Sequence, residues 1–249
     1  MLPSPIYRSL AVAKSEARKQ LAVLIDPDKI RTQQLPRLLE LAHSASVDYF
    51  FLGGSLLLED QLDDCLHLLR QSANGIPLVL FPGSPLQLNK KADALLFLSL
   101  ISGRNPEFLI GHHVVAAPYI KASGIEVIAT GYILVEGGKT SSAGYMSNTA
   151  PIPAEKPEIA VCTALAGEML GLKTIYLDAG SGANQPVPPD MIRQVSQSVS
   201  LPLLVGGGLK TPRQVDHALQ AGADLVVVGA ALENKPDLLL EIADTIHAF

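Results

Sequence analysis

The sequence predicts an α/β fold, a (β/α)₈ barrel of the TIM type. Eight short apolar runs recur along the chain with helix-length connections between them. The runs are continuous rather than alternating, as parallel strands covered on both faces require. The chain has 249 residues, the size at which such a barrel forms one domain. Residues 1–249 read as a single domain, with no linker and no short-period repeat.

The first run, Leu21–Ile25, ends in Asp26-Pro27-Asp28-Lys29, and the second, Val47–Leu52, ends in Gly53-Gly54-Ser55. The third, Pro77–Phe81, and the fourth, Ala94–Leu98, are joined by a segment that holds Pro82, Gly83 and Pro85. These residues leave too little for a barrel helix. The third helix is therefore expected to be atypical or missing, which would open one side of the barrel wall. The fifth run, Glu126–Ala129, is followed by a Gly-, Ser-, Thr- and Pro-rich connection from Gly137 to Pro157 and a helix around Ile159–Leu170. Long loops after barrel strands are usually lids or binding loops.

The sixth run is Thr174–Leu177, the seventh Leu201–Val205 and the eighth Asp224–Val228. The clearest helix opens at Thr211, a good N-cap, with Pro212 at the first helical position and Gln214 completing a capping box. Val215, Ala218 and Leu219 then share one face, and Gly222 is placed to end the helix in a left-handed conformation.

Composition limits the function. Lys+Arg minus Asp+Glu is 19 − 24 = −5, which argues against sequence-independent nucleic-acid binding. The longest apolar stretch, Ala94 to Ile101, falls short of the roughly 20 residues of a membrane span. The first twenty residues lack the unbroken apolar core of a secretory signal. Cys65 and Cys162 cannot form a disulfide framework, read as small core residues, and suit a reducing cytoplasm.

Three constellations carry chemistry, all at strand ends. Gly206-Gly207-Gly208 and Gly229-Ala230 follow strands seven and eight, the pair of loops that holds phosphate in many barrels; plain tight turns are the alternative. Tyr176-Leu177-Asp178-Ala179-Gly180-Ser181-Gly182 ends strand six. Asp178 there is a candidate general base or holds substrate hydroxyls, against a turn-capping role. Asp26 and Ser55 end adjacent strands and could meet at an oxygen-rich spot suited to Mg²⁺, against ordinary turn chemistry. An acid/base pair of Asp26 and Asp178 without metal, as in isomerases and lyases, and a non-catalytic phospholigand barrel also stay open.

Other patterns are decoys. Gly138-Lys139-Thr140 resembles the end of a Walker loop, but Ile133 stands where its first glycine belongs. Asp63-Asp64 reads as a solvated helix face. His112 and His113 are adjacent, poor joint metal ligands, and expected at the surface or partly buried.

Leu24-Ile25-Asp26-Pro27-Asp28-Lys29, Gly53-Gly54-Ser55, Gly131-Tyr132, Lys156-Pro157, Thr163 through Glu168, Tyr176 through Gly182 and Val205 through Leu209 occur in this order. As a set they resemble the geranylgeranylglyceryl phosphate synthase family, in its group II branch, over nearly the whole chain. The resemblance implies a modified barrel that joins a prenyl diphosphate to the sn-3 hydroxyl of sn-glycerol 1-phosphate and releases diphosphate. It implies Mg²⁺ on Asp26 and Ser55. It implies glycerol-phosphate contacts on Tyr176, Leu177, Asp178, Ala179, Gly180, Ser181 and Gly182, on Gly207 and Gly208, and on Gly229 and Ala230. Asp178 would take the hydroxyl proton, and the protein would be a homo-oligomer. The family often has Glu where this chain has Asp178, and some bacterial relatives carry Lys where it has Leu24. A prenyl tail needs an apolar groove, and the opened wall between Phe81 and Ala94 is the expected place. Burial of such a tail is worth about 0.8 kcal/mol per methylene before binding costs.

Overall fold

The computed structural model describes residues 5–29, 35–57 and 61–249. Among them, eight parallel strands close into a barrel in chain order. They are β1 (Gln20–Ile25), β2 (Tyr49–Leu52), β3 (Leu78–Leu80), β4 (Ala94–Leu100), β5 (Glu126–Leu134), β6 (Thr174–Asp178), β7 (Leu203–Gly206) and β8 (Leu225–Val228). β8 pairs with β1, setting Val226 beside Leu21. The helices are α1 (Pro5–Ser15), α2 (Leu35–Ser44), α3 (Leu62–Ser72), α4 (His112–Ser123), α5 (Ser142–Ser147), α6 (Pro157–Met169), α7 (Pro189–Ser198), α8 (Pro212–Gln220), α9 (Ala230–Asn234) and α10 (Leu238–His247).

Alternation along each strand divides the core in two. Leu21, Val23, Ile25, Leu177, Leu203 and Val205 face the helix layer. Ala22, Phe51, Val79, Leu96, Tyr132, Tyr176 and Val227 fill the barrel interior. Continuous apolar runs follow directly, since both faces of each strand are covered. α1 closes the N-terminal end of the barrel. Its Ile6 and Leu10 join the interior cluster, and the amides of Ile6 and Tyr7 donate to the Glu126 carboxylate at 3.0 and 2.6 Å. The C-terminal end stays open.

The third barrel helix is missing, as the prolines predict. A single 3₁₀ turn, Pro85–Gln87, stands between β3 and β4. Buried Gln87 holds this connection against the turn after β2: its side chain donates to the Gly54 carbonyl at 2.9 Å and accepts from the Gly83 amide at 3.0 Å. α8 is capped as expected, with Thr211 Oγ1 accepting from the Gln214 amide at 3.3 Å. Beyond Gly222, the Ala223 amide returns to the Ala218 carbonyl at 3.0 Å, a Schellman end.

Asp63 and Asp64 lie on an exposed helix face, Asp63 paired with Lys91 at 2.7 Å. Cys65 is buried, and desolvation pushes its thiol up to about 11. Cys162 is exposed, contrary to expectation. It lies on the outer side of α6, where Ile159 and Met169 also face out. The outer face of α4 is similar, with Val114, Val115 and Tyr119 more than half exposed. A helix with apolar residues on both sides gives the sequence little signal of which side is the core. No described helix is long and apolar enough to cross a membrane.

Candidate active site

The open end of the barrel holds a cavity of about 770 Å³. Most of the expected site residues converge on it: Asp26, Ser55, Tyr176, Asp178, Ser181, Gly182, Gly207, Gly208, Gly229 and Ala230 line its wall. Leu177 and Ala179 do not line it, because alternation turns their side chains into the helix layer. Gly180 takes part through its amide alone, which donates to Asp178 Oδ1 at 2.7 Å.

Asp178 ends β6 in register with Leu134 of β5 and Gly206 of β7. Its second oxygen, Oδ2, accepts from the phenol of Tyr132 at 2.7 Å. Burial raises the carboxyl above the ordinary aspartate range, and the hydrogen bonds from Tyr132 and Gly180 pull it part of the way back. The group is thus a buried ionisable acid at the cavity wall, with two donors fixing its orientation. Burial holds the Tyr132 and Tyr176 phenols well above their ordinary value, with the Asp178 charge adding to it, so both stay protonated donors. The rings of Tyr132 and Tyr176 meet edge to face at 5.7 Å, and Phe81 stacks on Tyr176 at 5.2 Å. Phe81 ends the floor of the cavity on the side where the helix is missing.

The glycine loops supply backbone amides at the cavity wall that are unpartnered among the described residues. Gly207 and Gly208 adopt left-handed φ of +78° and +71°, which side chains rarely tolerate. A Cβ on Gly207 would collide with Asp178 Oδ1, and one on Gly208 would lie 2.7 Å from the Gln185 carbonyl oxygen. The amides of Ser181, Gly182, Gly207 and Gly208 donate to no acceptor among the described residues. Amides left without partners at one cavity wall form an anion cradle.

Across the cavity, the Asp26 carboxylate rests against the turn after β2, with Oδ2 3.1 Å from where a Cβ on Gly54 would stand. Lys29 forms an ion pair with the same oxygen. Among the described residues, no group of three His, Cys, Asp or Glu side chains gathers to hold a metal. One carboxylate and one neighbouring hydroxyl nevertheless suit Mg²⁺, which usually completes its shell with water and substrate phosphate oxygens.

A second, apolar groove opens where the third helix is absent. Leu95, Phe97, Leu98, Phe108, Ala116 and Ile120 line it, and it shares Gly54, Ser55, Phe81, Tyr132 and Ala143 with the cavity. The two spaces therefore adjoin. Both histidines set aside above line this groove, His112 edge-on to Phe108 at 4.7 Å and buried His113 edge-on to Phe97 at 4.3 Å.

Comparison with known proteins agrees with this geometry. The family model described as the PcrB family matches residues 14–246. A geranylgeranylglyceryl phosphate synthase of Chitinophaga pinensis is 50% identical over 98% of this chain and 96% of its own length. One of Spirosoma linguale is 47% identical over 95% and 94%. The crystal structure of (S)-3-O-geranylgeranylglyceryl phosphate synthase from Thermoplasma acidophilum, in complex with its substrate sn-glycerol-1-phosphate, superposes with a TM-score of 0.92. It is 30% identical, and each chain is covered in full. With the match running from α1 to α10, the chain belongs to the PcrB family, that of the geranylgeranylglyceryl phosphate synthases.

Proposed function

We propose that the protein is a prenyltransferase that joins geranylgeranyl diphosphate, or a similar prenyl diphosphate, to the sn-3 hydroxyl of sn-glycerol 1-phosphate. The product is a prenylglyceryl phosphate ether, a step in making ether phospholipids. One observation carries the reading: a set of loop amides unpartnered among the described residues and a buried carboxylate line one cavity, and an apolar groove adjoins it. Each matches one part of the reaction.

The cradle of Ser181, Gly182, Gly207 and Gly208, with Gly229 and Ala230 beside it, holds the phosphate of the small substrate. Asp178, oriented by Tyr132 and the Gly180 amide, accepts the proton of the sn-3 hydroxyl as that oxygen forms its bond to the first prenyl carbon. The bond from that carbon to the diphosphate breaks, and diphosphate leaves. Asp26 and Ser55 would hold Mg²⁺, which when bound neutralises diphosphate charge and improves it as a leaving group. The prenyl tail lies in the groove past Phe81. The free cysteines accord with work in the reducing cytoplasm. The apolar outer faces of α4 and α6 are where further copies of the chain would pack to form a homo-oligomer.

The test is direct. Purified protein with Mg²⁺, labelled sn-glycerol 1-phosphate and a ladder of prenyl diphosphates should carry label into the organic phase. Tight glycerol-phosphate binding without transfer from any rung would move the assignment to another phospholigand barrel.

A further inference from the structure

The Gly138-Lys139-Thr140 triplet lacks the glycine of a Walker loop, yet its lysine stands at the phosphate cradle. The segment after β5 is fastened onto the segment after β6. The amides of Asn184 and Gln185 donate to the Gly137 carbonyl at 2.8 and 3.1 Å, and the Asn184 side chain donates to the Gly138 carbonyl at 3.1 Å. Gly137 packs so closely that a Cβ there would lie 2.6 Å from the Ala183 side chain. The fastening sets Lys139 beside Gly182, just outside the cavity lining, with Nζ 3.4 Å from the point a Cβ on Gly182 would occupy. The amine is exposed, and it has no hydrogen-bond or ion-pair partner among the described residues. The cradle itself offers only neutral amides and a hydroxyl. Lys29, Lys210 and Lys235 also line the cavity; Lys29 pairs with Asp26, and Lys210 and Lys235 form no ion pair among the described residues, so Lys210 serves as the control for Lys139.

We propose that Lys139 is the cation of the phosphate site, reaching over Gly182 to pair with the phosphate of sn-glycerol 1-phosphate. This rests on the reading of the glycine loops as the phosphate cradle. A phosphate monoester is largely dianionic at neutral pH. Neutral amides orient such a group, whereas a charged donor strengthens each hydrogen bond roughly twofold. The fastened loop holds the exposed ammonium on the solvent side of Gly182. Lysine rather than arginine fits the task, because a compact charge on a flexible stem can follow a ligand that arrives and leaves.

Calorimetric titration of the purified protein with sn-glycerol 1-phosphate tests this, using wild type, Lys139→Met, Lys139→Arg, Lys210→Met and Gly207→Ala. The expected result is about tenfold or greater loss of affinity in Lys139→Met. That variant should also show a shallower dependence of affinity on salt concentration and an unchanged melting temperature. Lys139→Arg should retain most of the affinity. Gly207→Ala should abolish binding, because its Cβ would enter the cradle. If Gly207→Ala abolishes binding while Lys139→Met matches wild type, the cradle stands and the role of Lys139 is refuted. An equal loss in Lys139→Met and Lys210→Met would also refute it, by reducing the effect to the general field of nearby lysines. If neither Lys139→Met nor Gly207→Ala weakens binding, the cradle reading fails and this inference falls with it.

Discussion

The phenol of Tyr132 donates a 2.7 Å hydrogen bond to Oδ2 of Asp178 in the buried floor of the barrel mouth. The two side chains come from adjacent strands, with Tyr132 beside Tyr176 in register and Asp178 two residues on. The bond favours the ionised carboxylate, while burial opposes it. Tyr132→Phe should therefore raise the Asp178 pKa further, since only the opposing contribution remains with the Gly180 amide. A base must be ionised to accept a proton, so the acid limb of kcat/KM should move to higher pH in the variant. At neutral pH, turnover should fall by about tenfold, the scale of one hydrogen bond to a charged group. A pH–rate profile of both proteins checks this, and coincident acid limbs would uncouple the pair.

Asp178→Asn keeps the shape and the contact with Tyr132 but removes the proton acceptor. Turnover should drop by about two orders of magnitude or more, while affinity for sn-glycerol 1-phosphate changes far less. Single-turnover rates read beside calorimetric binding separate the two effects. Equal losses in both would make Asp178 an orienting residue for substrate and not a base.

Asp178, Asp26 and the glycine loops were legible because a barrel puts every strand end at one mouth, so position in sequence reports position in space. The missing helix was legible for a similar reason: Pro82 and Pro85 forbid it locally. Tyr132 carried no local signal of its role. Thr130 and Gly131 interrupt the apolar run, so the strand seemed to stop at Ala129, yet β5 continues to Leu134. Gly131 packs tightly there, since a Cβ would lie within 3.0 Å of the terminal methyls of Ile101, Ile175 and Leu172. α5, a single short helix in the long connection after β5, was likewise hidden among Gly and Ser; its cap, Ser141 Oγ accepting from the Gly144 amide at 3.1 Å, is the signal that marks it. Of the groove histidines, His112 is partly buried as expected, whereas His113 is buried, because adjacency on a helix says nothing of a neighbouring wall left open.

Removal of divalent metal should abolish transfer, and Mg²⁺ should restore it. Asp26→Ala should fail to recover at Mg²⁺ concentrations that saturate wild type, because the carboxylate is the only charged protein ligand in the two-residue set. Titration of each protein with Mn²⁺, followed by electron paramagnetic resonance in the presence of prenyl diphosphate, gives the affinities. The same metal affinity and metal dependence in Asp26→Ala would place the metal elsewhere.

Ala116 lies on α4 with its side chain on the groove wall. Ala116→Phe should fill part of the groove. Turnover of a twenty-carbon diphosphate should then fall more than that of a ten-carbon one, since each methylene excluded from burial forfeits about 0.8 kcal/mol. A melting curve close to wild type would show that the barrel accommodates the ring. Parallel losses for both chain lengths would argue that the tail lies outside this groove.

The outer face of α4 presents Val114, Val115 and Tyr119 to solvent, at 65, 61 and 71% exposure. A helix apolar on its outward side is costly to leave wet, and a second copy of the chain would cover it. Val115→Asp with Tyr119→Glu should lower the mass measured by light scattering after size-exclusion chromatography. A carboxylate buried at such an interface without a partner is strongly unfavourable. The barrel core is untouched by either change, so the far-ultraviolet circular dichroism should not alter. An unchanged mass would move the interface to another face, with the apolar side of α6 around Ile159 and Met169 the next to be altered.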